Sequence, residues 1–188
     1  MALTKMTKDG FGQIELNNVA FRRDGRVEAQ CALDAEVFSK KVPAENGMLL
    51  AVDNVTRTVK FASDDKLPIA LNYTAEHMYD ERKVGLKDFS LVPGTFYPRL
   101  GYLSIGDKFT TNTVAYDTDE FANEEALVQA LASDKLKNTP VYGGICENGY
   151  IKLSKTEPTA GPKLMAVKYT TMPDGQPAVK FQALGGAL

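Results

Sequence analysis

Gly47-Met-Leu-Leu-Ala-Val52 is a short apolar run, Asp53-Asn54 follows it, and Val55, Arg57, Val59 and Phe61 then alternate with Thr56, Thr58 and Lys60. An apolar run, a turn signal and a period-two stretch read as strand, turn and strand. The same texture continues downstream. Ser63-Asp64-Asp65 is a turn, and Ile69, Leu71 and Tyr73 alternate again. Residues 86–92, 95–103 and 108–114 are further strand candidates, punctuated by Pro93-Gly94 and Gly106-Asp107. Residues 74–83 have room for one or two helical turns, with a poor period. Short strands with turn signals at close spacing predict a mainly β fold, a β-barrel or β-sandwich of short antiparallel strands. Strands alternating with helices, which a parallel α/β sheet needs, are missing.

Toward the amino terminus, Val27, Ala29, Cys31 and Leu33 share one parity against Arg26, Glu28 and Gln30, the pattern of a half-buried strand. Ile14 and Leu16, then Val19 and Phe21, suggest an earlier strand with a change of register, and Arg23-Asp24-Gly25 signals a hairpin between the two. Residues 1–11 are polar and read as an arm that orders only against a partner. Toward the carboxy terminus one amphipathic helix is expected near residues 124–136. Asn123 caps it, Glu124 and Glu125 suit its positive end, and Ala126, Leu127, Ala130 and Leu131 form its apolar stripe. Lys135 and Lys137 suit its far end. Residues 142–146 and 149–151 pair around Asn148-Gly149. Met165, Val167 and Tyr169 face one way, Pro173-Asp174-Gly175 turns the chain, and Val179 and Phe181 answer. The organisation read from this is an arm and hairpin over 1–42, a small β-domain over 43–117, and a helix with hairpins over 118–188 packed on the same core, with the chain from Pro43 onward expected to close that core without the arm.

The 188 residues suffice for a core without staples, and 24 acidic against 22 basic side chains leave a net charge of −2. That balance disfavours direct nucleic-acid binding. No run of 18 apolar residues is present to span a bilayer, and residues 1–10 lack the apolar stretch of a signal peptide, so the expected place of synthesis is the cytoplasm. Cys31 and Cys146, 115 positions apart, read as buried free thiols. His77 is the only histidine and has no nucleophile motif beside it, which leaves neither a triad nor a zinc site. Asp117, Asp119 and Glu120 lack the spacing of a calcium loop and precede a helix that acids favour anyway. The glycines at 101 and 106 have Walker spacing without the Lys-Ser/Thr that must follow. The chain is therefore expected to be no enzyme and to need no cofactor or metal. Its one dense basic cluster is Arg22, Arg23 and Arg26. With Lys5 and Lys8 it forms the candidate contact for an acidic partner surface.

Residues 45–53, the strand ending at Ala62, and Leu67-Pro-Ile-Ala-Leu-Asn-Tyr73 resemble the small β-domain of tailed-bacteriophage head decoration and capsid-associated proteins. The run from Phe96 to Asn112 is similar to runs in phage virion proteins. The likeness covers about residues 44–117. It implies a non-enzymatic virion structural protein in a decoration, head-fibre-base or head–tail role. Such a protein would be made in the host cytoplasm, self-associate, and bind the major capsid protein or another virion protein. The alternative from the residues alone is a small ligand-binding β-barrel module, since barrel mouths commonly hold pockets.

Overall fold

In the computed structural model, which describes residues 3–63, 66–74 and 86–185, the apolar run from Met48 to Val52 is buried on both faces. Strand β6 (Leu49–Asp53) sends Leu49 and Ala51 into one hydrophobic core and Leu50 and Val52 into a second. It sits inside a six-stranded sheet with β3 (Val27–Glu28), β4 (Ala32–Leu33), β7 (Thr58–Phe61), β8 (Ile69–Asn72) and β10 (Leu100–Gly101). Their order is β3-β10-β8-β6-β7-β4. Strands β5 (Ala44–Glu45) and β9 (Ser90–Leu91) form a separate antiparallel ladder over the second core. The expected turn at Asp64-Asp65, the helical stretch from 75 to 83 and His77 lie outside the described residues.

The other large sheet has eight strands: β1 (Leu3–Lys5), β2 (Ile14–Asn18), β11 (Lys108–Thr111), β12 (Val114–Asp117), β13 (Tyr142–Gly144), β14 (Ile151–Ser154), β15 (Lys163–Thr171) and β16 (Pro177–Gly185). They run in the order β1-β12-β14-β13-β15-β16-β11-β2. Only two residues join β11 to β12, yet these strands lie five places apart in the sheet. Five flat spacings would be about 24 Å, whereas three residues reach about 11 Å at most. The sheet therefore curls until its two halves meet. No ladder joins β11 to β12 among the described residues, so the curl is an open one and not a closed barrel. Its interior is filled by Phe109, Val114, Tyr116, Ile151, Leu153, Leu164, Val179 and Phe181, against which Leu49, Ala51, Ile69 and Leu71 of the six-stranded sheet pack.

The fold is thus mainly β with a sandwich-like packing of sheets, as the residue pattern predicts. Several local expectations are corrected. The single strand over 26–33 is two short strands at opposite edges of one sheet, because Glu28 Oε1 accepts from the N–H groups of Gln30 and Cys31 and interrupts the ladder. Arg23-Asp24-Gly25 does turn, but it carries the chain from one sheet to the other and closes no hairpin. The strand after Asp53 starts at Thr58. Asp53 Oδ1 captures the N–H groups of Val55 and Thr56 at 2.9 and 3.1 Å, and Arg57 adopts a φ of 55°. The helix near 124–136 is two helices, α1 (Glu124–Ala130) and α2 (Ser133–Leu136), broken where Ala132 is extended. Asn123 Oδ1 accepts from Ala126 N at 2.8 Å as the cap. The carboxy-terminal hairpin of β15 and β16 is present. There Met165, Val167 and Tyr169 do not share one face, because the bulge between Ala166 and Lys168 turns Tyr169, the partner of Val179, toward the core that Leu164 and Ala166 fill.

The sheets cut across the segment boundaries at 42 and 117. Strands from 3–18 and from 142–185 complete the eight-stranded sheet around β11 and β12, and β3 and β4 complete the six-stranded one. The chain from Pro43 onward does not close its core alone, because Met6, Ile14 and Phe21 are buried in it.

Candidate partner-binding surfaces

Residues 3–18 run antiparallel to 108–117 along the seam of the curled sheet. Leu3, Thr4 and Lys5 pair with Asp117, Tyr116 and Ala115, and Met6 N donates to Val114 O at 2.8 Å. Thr7 Oγ1 donates to Asn112 O at 2.9 Å. Beyond a looped-out stretch, Gln13 N donates to Asn112 Oδ1 at 2.7 Å, and Ile14 and Glu15 pair with Thr111 and Thr110. The looped-out stretch is clasped. Gln176 Oε1 accepts from Lys8 N and Asp9 N at 2.9 Å each, and Phe11 N donates to Lys87 O at 2.6 Å. Met6 is fully buried. The expected arm is a strap on its own chain, because its N–H groups and one apolar side chain find partners there.

Beneath the strap lies a buried polar cluster. Glu45, only 6% exposed, accepts from Gly12 N at 2.6 Å and from Tyr150 Oη at 2.7 Å. Lys5 Nζ donates to the same Tyr150 oxygen at 3.0 Å. Burial, reinforced by the Glu45 charge and hydrogen bond, pushes the Tyr150 phenol far above its ordinary value, so it stays a donor. Thr111 and Thr113 fill the space beside Gly12 and Gly47. A Cβ on either glycine would meet a threonine Oγ1, and Gly47 also has a φ of 84°. Asp174 joins the clasp. Burial raises its pKa, but hydrogen bonds from Gln176 and Gln13 outweigh that and hold it below the ordinary carboxylate value.

The five basic residues expected to form one contact do not come together. Lys5 is spent on Tyr150, and Lys8 pairs with Glu124 at 2.6 Å. Arg22 and Arg23 are exposed on the turn between the sheets, with Arg23 Nε 2.8 Å from Asp24. Arg26 is half-buried. The acids near 117–120 are also engaged. Asp117 Oδ1 accepts from Asp119 N and its other oxygen lies 3.9 Å from Lys152, while Glu120 Oε2 accepts from Ser154 Oγ and Lys155 N. No group of three metal-ligating side chains occurs among the described residues. Cys31 and Cys146 are buried free thiols, and burial raises the pKa of Cys31. No helix among the described residues is long and apolar enough to cross a membrane.

The surface feature missed by the sequence reading is apolar. Phe96 and Tyr97 are 68% and 58% exposed, and Val42 is 46% exposed. In the sequence Phe96 and Tyr97 belong to the strand candidate over 95–103, and the short extent of β10 leaves them outside a ladder. A groove lies between β1, the end of β7 and the turn joining β13 to β14. It is lined in part by Leu3, Ala62, Ile145, Glu147 and Lys152. Compared with protein-family models, with curated proteins and with solved structures, the chain matches none.

Proposed function

We propose that this chain is a non-enzymatic structural protein of a tailed-phage virion that acts by binding the major capsid protein or a neighbouring shell component. The observation that carries the reading is how the acids are used. Glu45, Glu120 and Asp174 each accept from backbone N–H groups and hold the strap or a turn, which spends them on rigidity. The surface, by contrast, offers rigid turns bearing aromatic and basic side chains. Repeated modest contacts of that kind suit a protein fixed on a shell by symmetry. The resemblance over residues 44–117 points the same way. Of the basic contact, the Arg22–Arg23 turn is the part that a partner could reach.

The test is co-sedimentation with tailed-phage heads assembled from their major capsid protein. The protein is expected to pellet with heads, and Arg22→Ser/Arg23→Ser is expected to bind more weakly, with greater salt sensitivity in the parent. A folded protein that stays in the supernatant at saturating head concentration overturns the proposal.

A further inference from the structure

Six large apolar side chains are exposed among the described residues, and three of them, Val42, Phe96 and Tyr97, belong to two neighbouring turns. The β5–β9 register pairs Ala44 with Leu91, so the chain before Ala44 and the chain after Leu91 leave that ladder at the same end. Both turns are braced. Ser39 and Val42 exchange backbone hydrogen bonds at 3.0 and 3.1 Å, and Thr95 Oγ1 donates to Val92 O at 2.7 Å. Side chains presented this way lose little freedom on docking, and aromatic residues dominate the energetics of such contacts.

Charge selects the occupant. Lys40 and Lys41 are exposed beside Val42 with no ion pair among the described residues, and residues 39–43 and 92–98 contain no acid. Removing these two lysines from 22 basic against 24 acidic residues leaves 20 against 24, so the tip is positive and the rest of the chain carries −4. Two such tips facing each other would bring four lysines together, which is repulsive. The groove beside β1 has the opposite character. It has the apolar Leu3, Ala62 and Ile145, and the exposed Glu147 carries no ion pair among the described residues. Its one lysine, Lys152, lies by Asp117.

We propose that copies of this chain associate by docking the tip formed by Val42, Phe96 and Tyr97, with Lys40 and Lys41, into the neighbour's groove at Leu3, Ile145 and Glu147. A tip and a groove on every copy make the contact repeatable. This goes beyond capsid binding and stands without it, since the probe is the protein alone.

The experiment is light scattering and sedimentation of the full chain up to about 1 mM, the weak end of specific association. The mass is expected to rise with concentration and the association to weaken with salt. Phe96→Ser/Tyr97→Ser, on an exposed turn, is expected to raise the dissociation constant about tenfold or more. Lys40→Glu/Lys41→Glu and Glu147→Lys are each expected to weaken association, and their combination to restore it. Circular dichroism of each variant confirms that it is folded. A protein that is monomeric throughout, association unaffected by the serine variant, or charge reversals that do not rescue one another overturn the proposal.

Discussion

Tyr150 uses one oxygen twice, donating to Glu45 and accepting from Lys5, with its own side chain and that of Glu45 buried. Removing it leaves a buried carboxylate short of a donor, so Tyr150→Phe is expected to cost roughly 1–3 kcal/mol. The pH dependence follows from the raised phenol. A tyrosine whose folded pKa exceeds its unfolded value contributes stability that is fully present below the unfolded value of about 10 and is lost as pH rises beyond it. Urea midpoints should therefore fall more steeply for the parent than for Tyr150→Phe above about pH 10. Equal slopes would show that the phenol ionises normally in the fold. In the sequence this tyrosine is simply the residue before Ile151. Nothing local announces Glu45, 105 positions away, as its acceptor.

Among the elements, the strap behaves least as its composition suggests. Residues 1–11 are polar enough to read as a loose end, yet Met6 is fully buried and residues 3–6 lie along the seam of the curled sheet. Truncating a buried methionine costs roughly 2–5 kcal/mol, and deletion of residues 1–11 adds the lost β1 ladder. Met6→Ala is expected to fall in that range by urea unfolding, and the deletion to lower Tm by more than about 10 °C. A deleted protein that melts like the parent would mean that the strap contributes nothing. Local chemistry was a good guide wherever the partner is near in sequence. Asn123 caps α1 as its position predicts, and the turn at 173–175 joins two paired strands. It failed at Glu28 and Asp53, whose carboxylates take N–H groups that a strand would have given to a neighbour.

For the whole molecule, β6, β8 and β12 each send side chains into both cores, so neither core can open alone without exposing a face of these strands. Leu49→Ala and Leu50→Ala point into different cores, and each is expected to cost roughly 2–5 kcal/mol. Because the strand is common, both variants should retain one transition, with tyrosine fluorescence and far-ultraviolet circular dichroism moving together. Two separable transitions in either variant would show that the cores unfold independently.

The sequence by itself determined the β class, the hairpin turn at 173–175, the capped helix start and the burial of both cysteines. All of these depend on residue type and on neighbours within a few positions. Only the tertiary structure decided which strands pair, that the sheet curls open, that residues 3–18 run along its seam, and that Lys5 and Lys8 are spent within the chain while Phe96 and Tyr97 face solvent. Those outcomes are set by pairing between backbone groups about a hundred residues apart. Period and composition carry no address for such a partner, because every strand offers the same N–H and C=O groups.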